Sequence, residues 1–298
     1  MKKLRNSDLI ASTLLGKRIE GFTSYNPSIL VAVPREENRI KYSINSDLPF
    51  DGYDVWHCYE FSSMSENGLP VTKVLKLKYP CTSKFIIESK SLKLYLNSFN
   101  LSRFGKNTKE CLEICRQTIQ KDLSEKLQTV VEVDFPKNDK VEIFNNFKNI
   151  IELIDENTLK IEKFNEAPEV LLASNESKIT QHYLKFESLR SNCRITHQPD
   201  FGDVFIYYKS QKVINLQSLI KYLVSFRSEN HFHEECVEMI YKRLSDILDV
   251  NDKLFVCAMY TRRGGIDITP VRYSKDLTLS EIDSLYDLKV FARNGIKQ

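Results

Sequence analysis

The sequence predicts an α+β protein made of two copies of one module, each with mainly antiparallel strands around a helical segment. Three observations carry this. Ser91-Leu92-Lys93-Leu94-Tyr95-Leu96-Asn97-Ser98-Phe99 aligns with Ser218-Leu219-Ile220-Lys221-Tyr222-Leu223-Val224-Ser225-Phe226 at an offset of 127, identical at six of nine positions. A helical apolar stripe follows each copy after roughly ten residues. Strand-like runs lie before and after each stripe.

Taken in order, Val55 to Phe61, Val71 to Tyr79 and Lys84 to Ile87 are β-branched and aromatic, as half-buried strands require. Glu88 to Tyr95 then passes from strand-like to helix-like. Cys111, Leu112, Cys115, Ile119, Leu123 and Leu127 recur at spacings of three and four, which places them on one face of a helix. Thr129 to Phe135 reads as a strand. A joining stretch from about 136 to 180 contains one expected helix, Val141 to Ile154, and charged loop with Pro168. The second copy repeats the order: strands at Val204 to Tyr208 and Val213 to Leu216, a stripe at Cys236, Ile240, Leu244, Ile247 and Leu248, then strands at Leu254 to Tyr260 and Ile266 to Tyr273 around Gly264-Gly265. Glu110-Cys111 and Glu235-Cys236 correspond. The expected modules are 1–165 and 166–298.

Composition narrows the function classes. The chain has 298 residues, enough for two domains, and its 42% hydrophobic and 28% charged content is that of a globular protein. Nine glycines, none spaced as a Rossmann or P-loop fingerprint, exclude those folds. With 43 basic against 40 acidic residues there is no global field to argue for nucleic-acid or membrane binding. Met1-Lys2-Lys3-Leu4-Arg5 has the charge of a signal-peptide start, but Asp8 and Lys17 interrupt the apolar stretch that would follow. Seven scattered cysteines without a Cys-x-x-Cys pair argue against a disulfide framework. The expectation is a soluble, cytoplasmic, unprocessed chain.

Four clusters could carry chemistry. Glu88-Ser89-Lys90-Ser91-Leu92-Lys93-Leu94-Tyr95 is either a polar turn with solvated lysines or a binding motif. Cys193 sits among polar residues, an arginine and Asp200, unlike the other cysteines, and is a small apolar residue or a nucleophile. His231-Phe232-His233-Glu234-Glu235-Cys236 invites a zinc reading, although two histidines matched on a strand face do not combine with a cysteine on a helical core face. Tyr260-Thr261-Arg262-Arg263-Gly264-Gly265 is a basic hairpin turn or a phosphate holder. Each copy of the repeat keeps ionisable groups that the other lacks, which suggests a site assembled from both halves.

In this order the clusters resemble the long, two-module form of the QueF-type 7-cyano-7-deazaguanine reductases, from about residue 20 to 298. Glu88 to Tyr95 satisfies every position of the family motif Glu-(Ser/Leu)-Lys-(Ser/Ala)-apolar-Lys-(Leu/Tyr)-aromatic, and Cys193 with Asp200, Phe232-His233-Glu234 and Arg262 to Gly265 also match. The resemblance implies tandem duplicated tunnelling-fold modules, antiparallel sheets backed by helices. It implies NADPH-dependent reduction of the nitrile of 7-cyano-7-deazaguanine to an aminomethyl group, on the route to queuosine in transfer RNA.

The resemblance also implies residue roles. Cys193 would be the nucleophile, Asp200 the acid and His233 a later proton donor. Ile87, Glu88, Ser89, Phe232, His233 and Glu234 would bind substrate, the carboxylates accepting its two parallel donors. Ser89, Lys90, Arg263 and Gly264 would bind NADPH. No metal, membrane or direct nucleic-acid partner is implied, and a homodimer is. Two other classes remain open: a zinc-dependent purine or pterin hydrolase of the same fold, and a non-catalytic nucleobase-binding protein.

Overall fold

A computed structural model describes residues 6–13, 24–136, 140–142, 144–286 and 291–293; the basic segment Met1 to Arg5 lies outside them. The helices are α1 (Asn6–Ala11), α2 (Glu36–Lys41), α3 (Ser89–Asn97), α4 (Thr108–Leu127), α5 (Leu216–Val224), α6 (His233–Ile247) and α7 (Leu279–Leu285). The strands are β1 (Ala32–Pro34), β2 (Asp51–Met64), β3 (Pro70–Pro80), β4 (Phe85–Ile87), β5 (Glu132–Asp134), β6 (Lys140–Glu142), β7 (Lys148–Asn149), β8 (Ala173–Asn192), β9 (Pro199–Ile214), β10 (Lys253–Tyr260), β11 (Ile266–Tyr273) and β12 (Phe291–Arg293). The protein is thus α+β. Among the described residues no helix is long and apolar enough to cross a membrane.

Contacts group the described residues into two units. The first takes in the described residues up to Ile40, those from Tyr53 to 136, and Arg262–Ile268; the second takes in Lys41–Gly52, the described residues from 140 to Thr261, and those from Thr269 onward. This grouping interleaves along the chain, whereas the boundary near 165 divides the sequence repeat.

In the first unit β2 and β3 pair antiparallel from Tyr53↔Pro80 to Met64↔Pro70, with a register shift between Cys58 and Phe61, and β5 pairs with the other edge of β3. The expected α4 stripe forms. Cys111, Cys115, Ile119, Leu123 and Leu127 recur every four residues, stay on one helix face and pack with Trp56, Leu75, Leu77, Tyr95 and Phe99. Complete burial of each large apolar side chain contributes about 1.5–3 kcal/mol relative to exposure. Leu112, off that line, is only partly buried.

In the second unit β8 and β9 form a long antiparallel hairpin, β10 pairs with β9, and the end of β11 pairs with β10. β9 is one strand where the sequence suggests two. The expected helix at Val141 to Ile154 does not form: residues 148–149 pair with β8 and 150–153 are a 3₁₀ turn. Asn149 starts that turn, its side chain accepting the Ile151 amide at 3.3 Å. Phe144 and Phe147 pack on Phe205 instead, the first stacked at 3.9 Å, so tertiary contacts claim the apolar residues that mimic a helical stripe. β8 extends back to Ala173, into the stretch expected as loop; its first residues are polar and exposed and carry no strand signal of their own.

The two copies agree in detail. α3 and α5 have nine residues each at the offset of 127. Glu88 caps α3 through the Lys90 and Ser91 amides, and Asn215 caps α5 through the Ser218 amide. Ser91 Oγ donates to the Glu88 carbonyl and accepts the Val31 amide; Ser218 Oγ donates to the Asn215 carbonyl and accepts the Leu172 amide. Ser98 Oγ accepts the Asn26 amide where Ser225 Oγ accepts that of Ala167.

Candidate active site

Cys193 and Asp200, seven residues apart, lie at the same end of one hairpin. Ser191 pairs with Asp200 and Asn192 with Pro199 across β8 and β9. The loop between is closed by the Cys193 amide donating to the Gln198 carbonyl at 2.7 Å and the His197 amide donating to the Cys193 carbonyl at 3.0 Å. Cys193 is half-buried, whereas the other six cysteines, all free, are buried. Burial pushes the Cys236 thiol up to about 12 and raises Cys58 and Cys257 as well. Thiolate chemistry is correspondingly suppressed at those sites.

Asp200 is buried on β9 and faces the start of α6, where His233 Nε2 lies 3.4 Å from Asp200 Oδ2. The imidazole stacks on Tyr260, ring centroids 3.7 Å apart and 5° from parallel, which fixes its plane. Its Nδ1 is buried without a hydrogen-bond partner. Phe232 is the N-cap of α6, His233 and Glu234 the first two helical positions, and Glu234 is buried. His233 therefore begins a helix, not a strand face as the sequence suggests. A metal site does not form from this cluster: Cys236 is on the core face and His231 is bonded to Tyr42 and Glu229. Among the described residues no group of three metal-ligating side chains is found.

A largely buried charge cluster lies at the start of α6. His231 Nε2 is 2.9 Å from Glu229 and 3.1 Å from the Tyr42 hydroxyl, and Nδ1 is 3.5 Å from Glu235. Burial alone would lower the His231 pKa, but bonds and charge from Glu229 and Glu235 outweigh it and raise it. The His231 bond pulls Glu229 down to about 2. The stabilisation from His231 is complete below its ordinary 6.5 and is lost as pH rises through the raised folded value. That from Glu229 is present above its ordinary 4.5 and is lost as pH falls toward 2. Thermal midpoints measured across pH should hold a plateau between the two limbs. His231→Gln should flatten the alkaline limb, and a limb equally steep in that variant would exclude this cluster as its cause.

Ile87, Glu88, Ser89, Lys90, Arg263 and Gly264 belong to the first unit. Ile87 ends β4 in the core. Glu88 is buried as the α3 cap, its two oxygens accepting the Lys90 and Ser91 amides at 2.8 and 2.7 Å. Burial raises its pKa, and the two amides offset this only in part. A carboxylate has about four lone-pair sites, so both oxygens retain acceptor capacity. Because the carboxylate occupies the first amides of α3, an external anion near Lys90 is met by the ammonium rather than by the helix terminus.

Arg263 to Ile266 is a two-residue hairpin turn closed by reciprocal backbone bonds of 2.9 and 3.1 Å, with Gly264 and Gly265 at φ 57° and 77°. Positive φ at both central positions explains the diglycine. The Tyr59 amide donates to the Gly265 carbonyl at 2.8 Å, Lys93 Nζ to the Gly264 carbonyl at 2.7 Å, and Arg262 stacks on Tyr59 at 3.5 Å. Lys93, one turn along α3 from Lys90, thereby ties the Glu88 motif to the diglycine turn. Lys93, Arg194, Glu235 and Tyr260 all lie within the four sequence clusters, but residue type and spacing assign none of them a role; each has a partner distant in sequence.

The family model described as nitrile reductase, 7-cyano-7-deazaguanine-reductase N-term matches residues 22–135, and the one described as QueF-like protein matches 199–278. Cys193 falls between the two matches. A protein of Colwellia psychrerythraea named NADPH-dependent 7-cyano-7-deazaguanine reductase is 38% identical over 280 residues, covering 92% of this chain and 96% of that one. The chain belongs to the QueF family of 7-cyano-7-deazaguanine reductases.

Proposed function

We propose that this protein reduces the nitrile of 7-cyano-7-deazaguanine to the aminomethyl group with two NADPH, and that Cys193 is the nucleophile. The partial exposure of Cys193, alone among seven free thiols, is the observation that carries the reading. A nitrile carbon accepts hydride poorly. The Cys193 thiolate adds to it while Asp200 protonates the nitrogen, giving a thioimide whose carbon is more electrophilic. NADPH supplies hydride to that carbon; expulsion of the thiolate leaves an imine, and a second hydride with a proton from His233 gives the amine. The balance is one nitrile, two NADPH and two protons to one amine and two NADP⁺.

Glu234 and Glu88 accept the N1–H and 2-amino donors of the base, Phe232 covers the ring, and Ile87 and Ser89 line the substrate. Ser89, Lys90, Arg263 and Gly264 hold NADPH, with the Arg263 guanidinium suited to the 2′-phosphate. The exposed position of Arg263 and the partial exposure of Lys90 fit a phosphate-bearing cosubstrate. The modules are tandem tunnelling-fold copies divided near residue 165, a reading supported by the matching caps and serine bonds of α3 and α5. The working form is a cytoplasmic homodimer acting on a small molecule, in queuosine biosynthesis. NADPH oxidation followed with 7-cyano-7-deazaguanine should give two equivalents per product. Oxidation without product, or product without NADPH, would contradict the reading.

A further inference from the structure

Cys193 and His233 sit on separate elements, and one buried carboxylate reaches the neighbours of both. Glu235 Oε1 accepts from Arg194 Nη1 at 2.5 Å, and Oε2 accepts the Phe232 amide at 3.0 Å. Arg194 directly follows Cys193, and Phe232 directly precedes His233. The Arg194 and Glu235 side chains are 1% and 3% exposed, and the guanidinium also lies over the Phe232 ring at 5.4 Å. A buried Arg–carboxylate pair is weak evidence of net stabilisation, because desolvation offsets most of the attraction.

Helix capping does not explain the arrangement. The corresponding residue of the other copy, Glu110, occupies the same third position of α4 and accepts the Lys106 amide at 2.9 Å while exposed to solvent. One oxygen suffices for that. In Glu235 the second oxygen is committed to the Cys193 loop. Backbone bonds from Glu229 and His231 stop at Asn192, at 2.8 and 3.1 Å. Beyond it the loop has the His197–Asn230 contact, at the exposed end, and the Arg194–Glu235 pair at the buried end.

We propose that Glu235 is a positioning residue: through Arg194 and the Phe232 amide it sets where Cys193 stands relative to His233. The consequence for turnover rests on the proposed function; the tether itself does not. Glu235→Gln keeps an acceptor for the Phe232 amide and removes the charge that holds Arg194. Amide hydrogen exchange over residues 193–198 should accelerate about tenfold or more in Glu235→Gln and in Arg194→Gln, with α4 unchanged. Thioimide formation should slow about 10- to 100-fold, since displacement of a reacting atom by an ångström costs that much, while the KM for NADPH holds. The double variant should be no slower than either single one if the pair acts as a unit. Should a single variant fail to fold because a charge is left buried and unpaired, Arg194→Met with Glu235→Gln removes both charges and carries the same two measurements. Unchanged exchange in the loop overturns the tether, and faster exchange with an adduct rate within about twofold of wild type overturns its positioning role. A wild-type protein that forms no adduct with the nitrile refutes the proposed function instead, and the exchange result still decides the tether.

Discussion

Cys193→Ala is expected to abolish turnover while 7-cyano-7-deazaguanine binding stays measurable. Without a thiolate there is no thioimide, and hydride would have to reach the unactivated nitrile carbon. Loss of a covalent nucleophile that acts as a unit with its acid costs on the order of 10⁴-fold or more. Folding should be nearly untouched, because the side chain is half-buried in a loop whose closure uses its backbone amide and carbonyl, which alanine retains. The test pairs NADPH oxidation with calorimetric titration of the nitrile. Turnover surviving at a few per cent of wild type would refute the nucleophile assignment, and loss of binding together with turnover would show that the substitution disturbed more than the thiol.

Asp200→Asn should slow adduct formation by about 10²–10⁴-fold, the usual contribution of a positioned acid, with substrate affinity changed far less. The substitution is nearly isosteric, and the asparagine carbonyl can still accept from His233 Nε2, now 3.4 Å from Asp200 Oδ2. The position of the imidazole should persist, since its stacking on Tyr260 does not involve residue 200. What disappears is the proton for the nitrile nitrogen. Single-turnover mixing of enzyme and nitrile without NADPH reads that step alone. An adduct rate equal to wild type would remove Asp200 from the acid role and leave it as a partner of His233.

The strands and helices with a clear period are legible in the sequence alone. The α4 stripe forms because spacing of four residues places side chains on one face whatever lies beside it, and Leu254 to Tyr260 and Ile266 to Tyr273 form strands as their β-branched and aromatic content suggests. Val141 to Ile154 misled for the opposite reason. Its apolar residues satisfy a helical period, but Asn149 caps a short turn and the phenylalanines are taken by Phe205. β8 gave little signal, since its first residues owe their conformation to pairing with β9.

The motifs Glu88 to Tyr95, Cys193 with Asp200, Phe232 to Glu234 and Arg262 to Gly265 were sufficient to suggest the family and to nominate chemically suited side chains, because identity and short spacing are local properties. Their environments are not local. That Cys193 is the accessible thiol, that Glu88 is buried, that Tyr260 fixes the His233 ring and that Glu235 divides its carboxylate between Arg194 and Phe232 all depend on residues distant in sequence. Burial and hydrogen-bond geometry arise only when those segments pack, and it is they that separate a reactive thiol or a positioned carboxylate from residues of the same type elsewhere in the chain.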